Sequence, residues 1–329
     1  MKPSLSLVLA TDLLMPLTEL AGRAERAGLH RLWLTEFQGR DALVRSTVAA
    51  LSSERLHVGT GIAYGFTRLP LALAAAALDV QEISGGRFTL GLGAGTRGLR
   101  RAFGANFEPP VTRLSEVIGK LREAWSRAEW TRSVPPPPLA VAGVNQVMLR
   151  RAAELGDRVL LHPLCLVEEH LRGRVLPALV AGSDRRTDGR RVSVAAWCIA
   201  SVDADGDLAF ARARRQLTFY LSTPGYRDVV AGTRWEAPIA ALREQFAAER
   251  ARPDWERLSA LVPDELVDQI AVTGRPEDVV TALRRKRDLL SECGVDEIVL
   301  QTTDAAEHTL AAAYQLIDTA GRAVMPDAV

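Results

Sequence analysis

The sequence predicts an α/β protein, a (β/α)8 barrel with a helical excursion over its C-terminal mouth. Three observations predict it: short apolar segments alternate with helical ones, no hairpin turn joins two strand segments, and the strand segments number eight. Strands separated by helices pair in parallel and are covered on both faces, so they read as continuous apolar runs. A doubly wound open sheet is the competing architecture.

Leu5–Ala10 is the first strand, followed by helical spacing over Pro16–Gly28, with Leu17, Leu20, Ala21 and Ala24 on one face. Arg31–Thr35 is the second strand and Asp41–Glu54 its helix. Leu56–Ile62 is the third strand, and Pro70 suits the first turn of an alanine-rich helix that runs to Ser84. Gly85-Gly86 ends that helix, and Arg87–Gly93 is the fourth strand. Leu139–Gly143 and Arg158–His162 flank the helix Gln146–Leu155. Val192–Val202 is a long strand before the helix Leu208–Tyr220. Pro276–Cys293 is a helix leading to the strand Val295–Gln301, and an amphipathic helix over Ala305–Ala320 closes the chain. Two segments interrupt the pattern. Ser133–Pro138 is a stiff proline-rich connector, and Thr223–Pro263 has weak helical periodicity. The whole chain, 1–329, reads as one domain with 223–263 as a helical insertion.

Composition narrows the function. Forty-one basic residues face 40 acidic ones, a net charge of +1, without the basic surplus of a nucleic-acid-binding protein. The longest apolar stretch, Leu69 to Leu78, is far below the roughly 20 residues that span a bilayer. Neither a signal-peptide pattern nor CxxC spacing occurs, so Cys165, Cys198 and Cys293 are expected to be reduced thiols in the cytoplasm. No metal site is expected, and HExxH, P-loop and GxSxG motifs do not occur.

Several strand ends carry candidate chemistry. Glu36 follows the second strand, on the face where barrel active sites form; it either contacts ligand or caps the next element. Gly59-Thr-Gly61-Ile62-Ala63-Tyr64-Gly65 ends the third strand as a bulge, structural or ligand-facing. Gly93-Ala94-Gly95-Thr96-Arg97-Gly98 matches GxGxxG, but it follows the fourth strand, not the first, and no acidic strand end lies about 20 residues on. Tight turning and close approach to a flat or anionic ligand both remain open there. His162 ends another strand as a structural or ligand-facing residue. His30, His57, His170 and His308 read as helix-end or surface residues.

Together these stretches resemble the luciferase-like monooxygenase superfamily, in particular its branch that uses the deazaflavin coenzyme F420. The resembling pieces are Leu32-Trp-Leu-Thr-Glu36, Val58-Gly-Thr-Gly-Ile62, Ser84-Gly-Gly-Arg-Phe88 with Leu90-Gly-Leu-Gly93, Leu155 to His162, and Ser222-Thr-Pro-Gly-Tyr226. The resemblance implies a cofactor ring in the C-terminal mouth, backed by a cis peptide at Gly61-Ile62. It implies cofactor contacts from Gly61, Ile62, Ala63, Gly93, Ala94, Gly95, Thr96, Gly143, Val144, Asn145 and His162. Glu36, Arg40 and Tyr64 are then the proton donors or relays to consider, and Arg68 and Arg97 the groups for a substrate anion. Departures from the family pattern stand out: Phe37, Arg40 and Thr96 occupy positions where relatives often have histidine, histidine and glutamate. The insertion after the fourth-strand helix shrinks to Trp130–Pro138, leaving a mouth open to a bulky substrate.

The resulting expectation is an F420H₂-dependent reductase acting on an activated C=C or C=N bond of a small molecule or a modified, dehydroalanine-containing peptide. The alternatives are an FMN-dependent monooxygenase and a cofactor-free accessory barrel. A homodimer without nucleic-acid or membrane partners is the family-based expectation.

Overall fold

The computed structural model describes residues 2–9, 14–105, 109–303 and 309–324. Its strands are β1 (Ser4–Leu9), β2 (Arg31–Leu34), β3 (His57–Thr60), β4 (Ala63–Tyr64), β5 (Phe88–Gly93), β6 (Leu139–Gly143), β7 (Arg158–Leu161), β8 (Ser193–Val202), β9 (Ala271–Gly274) and β10 (Glu297–Thr302). Eight of them close a parallel barrel in the order β1-β2-β3-β5-β6-β7-β8-β10, because β10 pairs with both β1 and β8. The open-sheet alternative is thereby excluded.

The segment 56–62 does not form one strand. The chain leaves the ladder after Thr60, passes the cis Gly61-Ile62 peptide, and rejoins as β4 against Leu92 and Gly93. The short β9 extends the ladder beside the last residues of β8, Ile199 to Val202. A helical run from Glu168 to Ser183, with a π-turn over Leu171–Val175, was not legible from periodicity, since Gly173, Pro177 and Gly182 interrupt its apolar pattern. The last helix runs Thr309–Val324; residues 305–308 of the expected helix, His308 included, lie outside the described residues.

Alternation along the strands separates two cores. Leu7, Leu32, Val58, Leu90, Val141 and Leu300 face the surrounding helices. Val8, Trp33, Ala140, Leu160, Ala195 and Val299 fill the barrel, with Ile62, Ala142 and Trp197 packed on them. The N-terminal end is closed by charge. Glu297, fully buried, accepts from Trp33 Nε1 at 2.8 Å and pairs with Arg158 and, at 3.7 Å, with Arg31. Burial alone would raise the Glu297 carboxyl, but Arg31 and Arg158 outweigh it and hold the group below its usual range.

The Ser84–Phe88 motif proves architectural. Gly85 and Gly86 take positive φ angles of 61° and 87° to end the helix Pro70–Ile83. Arg87 then donates to the carbonyls of Ala50, Ser53 and Leu56, tying the end of the helix Ala42–Leu51 to the barrel wall. The excursion 223–263 carries a 3₁₀ turn, Pro224–Val229, and helices Glu236–Ala248 and Trp255–Ser259. Trp255 packs on Phe219 and Phe246, so the excursion is seated on the helix Gly206–Ser222. Its first turn reaches the mouth, where Tyr226 meets His162. Among the described residues, no helix is long and apolar enough to cross a membrane.

Candidate functional site

The C-terminal ends of the strands bring most of the expected site residues to one mouth. Glu36 lies just past β2, its side chain 3% exposed. Its carboxylate accepts from Thr67 Oγ1 at 2.8 Å, Arg68 Nη1 at 2.7 Å and the Tyr64 backbone N–H at 3.4 Å. Arg68 also holds Asp41, which caps the helix Ala42–Leu51 by accepting from the Leu43 and Val44 amides. Burial pulls the Arg68 guanidinium down, but Glu36 and Asp41 more than offset it and raise it above its ordinary value. The expected acid and the expected anion-binding arginine are thus bound to one another. Arg40 lies over Phe37, its guanidinium 5.4 Å from the ring centroid.

Gly61 and Ile62 form the bulge beside the barrel axis. A Cβ on Gly61 would lie 2.8 Å from Trp33 Cβ and 2.9 Å from Trp197 Cζ2, so no larger residue fits between the two indoles. A Cβ on Gly93 would overlap Ile62 Cδ1. These glycines let Ile62 and Trp197 lie low across the barrel. Ala63 is buried on β4, and Tyr64 is 8% exposed, its ring 5.4 Å from Phe66 and 5.8 Å from Phe103. Burial, reinforced by Glu36, pushes the Tyr64 phenol well above its usual range.

Beyond β5, Ala94 and Gly95 lead to Thr96, which caps the helix Arg97–Ala102 by accepting from the Leu99 amide at 3.3 Å. Arg100 Nη1 returns to the Gly95 carbonyl at 2.8 Å, while Arg97 is exposed on the first turn. Beyond β6, Gly143 and Val144 lead to the exposed Asn145, whose side chain accepts from the Met148 amide at 2.9 Å at the start of the helix Gln146–Leu155.

The opposite wall was only partly legible. His162 Nδ1 accepts from the Leu164 amide at 3.2 Å, leaving Nε2 to carry the proton. Burial pushes this imidazole down to about 3, so it is neutral at physiological pH. Its ring centroid is 4.6 Å from both Tyr220 and Tyr226, and Gln301 Nε2 donates to the Tyr220 hydroxyl. Trp197, Gln301 and Tyr220 were not expected as site residues. Trp197 and Gln301 sit inside strands that read simply as apolar, and Tyr220 closes a helix; only the barrel's closure brings them together. His170 is buried, 3% exposed, contrary to its helix-end or surface reading, with Nε2 3.4 Å from the Val144 carbonyl. Among the described residues, no group of three or more His, Cys, Asp or Glu is placed to hold a metal ion.

An apolar floor of Ile62, Ala142 and Trp197, ringed by glycine loops and capped helix starts, lies at the C-terminal mouth of a parallel barrel. The luciferase-like monooxygenase family model matches residues 8–293, and the chain belongs to that family. The 5,10-methylenetetrahydromethanopterin reductase of Archaeoglobus fulgidus is 26% identical, the match covering 84% of this chain and 86% of the relative. Among solved structures, the coenzyme F420-dependent tetrahydromethanopterin reductase of Methanopyrus kandleri superposes with a TM-score of 0.75 at 20% identity, covering 98% of each chain. The oxygenating constituent of 3,6-diketocamphane monooxygenase from Pseudomonas putida, solved with FMN, gives 0.63 at 17% identity, covering 100% of this chain and 99% of the other.

Proposed function

We propose that this protein is an F420H₂-dependent reductase that delivers hydride to an activated C=C or C=N bond of a small or peptide substrate. The observation that carries the reading is the mouth itself, whose floor of Ile62, Ala142 and Trp197 is apolar and whose Gly61 and Gly93 have no room for a Cβ. The residues fit a flat deazaflavin ring with an anionic tail. Ile62 and Trp197 offer the ring a plate, and Gly93–Thr96 and Gly143–Asn145 lead to capped helix starts that favour negative charge. Such a cofactor, when bound and reduced, supplies a two-electron hydride donor. The Methanopyrus kandleri reductase, which is coenzyme F420-dependent, supports the same choice over FMN.

Within the mouth, Glu36 orients and Tyr64 supplies the proton. Both Glu36 oxygens already accept hydrogen bonds, tethering the bulge loop to the start of the helix Ala42–Leu51. Tyr64 keeps its proton throughout the physiological range. With Arg68 neutralised by two carboxylates, the exposed Arg97 is left to meet a substrate anion. The expected cover, Trp130–Pro138, is not part of the mouth: Ser133 Oγ donates to Glu82 and Gln81 Nε2 to the Pro135 carbonyl, at the end of the helix Pro70–Ile83 that leads into the start of β5.

We read 223–263 as an insertion within one catalytic domain. The protein works in the cytoplasm as a homodimer, joined through Val44, Leu51, Leu71 and Ile83, which are exposed apolar residues on the adjacent helices Ala42–Leu51 and Pro70–Ile83.

Titration of the purified protein with F420 and, separately, with FMN tests the reading. Micromolar binding of F420 alone supports the reductase. Preference for FMN replaces it with a monooxygenase, and binding of neither replaces it with an accessory barrel.

A further inference from the structure

Two polar atoms towards the mouth of the barrel have no hydrogen-bond partner among the described residues. Trp197 Nε1 and Gln301 Oε1 are both shut off from solvent and make no hydrogen bond. Leaving a buried donor or acceptor unpaired is costly, so both atoms are poised to take a ligand partner. Their positions say where that partner sits. Trp197 and Gln301 lie on the paired strands β8 and β10, opposite Val299 and Ile199 respectively. The Trp197 indole crosses the barrel until Cζ2 meets Gly61, on the far wall. Nε1 and Cζ2 are bonded to the same ring carbon, so the N–H lies on the edge beside the Gly61-Ile62 peptide. Trp197 is half-buried and, with Ile62 and Ala142, tops the apolar column of the interior.

Gln301 is 9% exposed, and its Nε2 is engaged by the Tyr220 hydroxyl at 2.5 Å. That hydroxyl either accepts or donates, so a half-turn of the amide exchanges which of its atoms is free. In either orientation one amide atom stays available, and the Trp197 N–H stays a donor. Among the described residues, the neighbouring wall is His162, Tyr220 and Tyr226, with the imidazole neutral.

We propose that Trp197 Nε1 and the Gln301 amide form a neutral hydrogen-bonding subsite that recognises a carbonyl flanked by N–H, an amide or imide edge. The proposal rests on the reductase reading, because two sources of that edge are then at hand: the pyrimidinedione of a deazaflavin, and an α,β-unsaturated amide substrate. Trp197 is the specificity-determining donor and Gln301 its adaptable second contact.

The test uses ¹⁵N-labelled full-length protein, with the Trp197 indole N–H resonance assigned by its disappearance in Trp197→Phe. The probes are the deazaflavin riboside, which lacks the anionic tail, and crotonamide, added alone and to riboside-loaded protein. A shift of the Trp197 resonance on riboside binding, with affinity about tenfold weaker in Trp197→Phe, assigns the subsite to the ring. A riboside that binds without moving it, followed by a shift with crotonamide, assigns it to the substrate. If saturating riboside and crotonamide both leave the resonance unmoved, the proposal is overturned. Failure of the riboside to bind at all defeats the cofactor reading, while the crotonamide arm still decides the subsite. Gln301→Leu is the second variant should Trp197→Phe not fold, and it must weaken the same probe.

Discussion

Replacing Glu36 with glutamine separates two roles for the acid at the end of β2. Glutamine keeps the volume and one carbonyl oxygen, so the bonds from Thr67 Oγ1 and the Tyr64 amide persist. What is lost is the charge facing Arg68 Nη1, 2.7 Å away. Hydrogen bonds to charged groups contribute about 1.5–3 kcal/mol. Arg68 is 19% exposed and retains Asp41, so the discounted loss is about 1–2 kcal/mol. For a chain of 329 residues that is a fall in Tm of roughly 1.5–3 °C. If Glu36 is an anchor, the variant keeps its pH profile and loses less than about tenfold in turnover, through a slightly displaced bulge. A general acid contributes about 10²- to 10⁴-fold. Thermal denaturation and steady-state reduction kinetics across pH 5–9 therefore decide. A 10²-fold or greater loss of turnover with an unchanged Tm and a missing pH limb would refute the anchoring role.

Three further outcomes follow from the same geometry. Glu297→Gln strands Arg31 and Arg158 without a counter-charge and is expected to cost about 3–5 kcal/mol in chemical denaturation. Because the native Glu297 carboxyl lies below its unfolded value, its contribution is present above about pH 4.5 and fades as pH falls below it, so wild type and variant should converge in acid. His162→Gln acts with a different window. The native imidazole is held at about 3 while the unfolded one titrates near 6.5, so wild-type stability drains from pH 6.5 toward 3, and the variant's decline over that range should be shallower. An equally steep decline would show that His162 is not the neutral buried group described. Leu51→Glu should convert a dimer to a monomer in sedimentation velocity without altering the Tm of the isolated barrel; a wild-type monomer would dispose of the interface.

Local chemistry explains how much the sequence by itself determined. Strand and helix declare themselves by burial on one or two faces, a property of neighbouring residues, so the eight-strand alternation and the order of elements were readable. The bulge at Gly61-Ile62 and the glycine loop after β5 were likewise visible, because glycine marks close approach wherever it occurs. The motif Ser84–Phe88 was recognisable, yet its meaning was not, for Arg87 acts on carbonyls more than thirty residues upstream. Only the tertiary structure decided the rest. Glu36 and Arg68 read as two separate functional groups until the β2 and β4 ends were brought within hydrogen-bonding distance. Arg158 and Glu297 stand 139 residues apart and meet only because β10 closes on β8. Trp197 looks like one more apolar residue in a strand, and which residues line the mouth depends on its indole crossing to Gly61 on the far wall. Pairing across a closed barrel is set by ring closure and side-chain reach, and neither leaves a periodic trace in the chain.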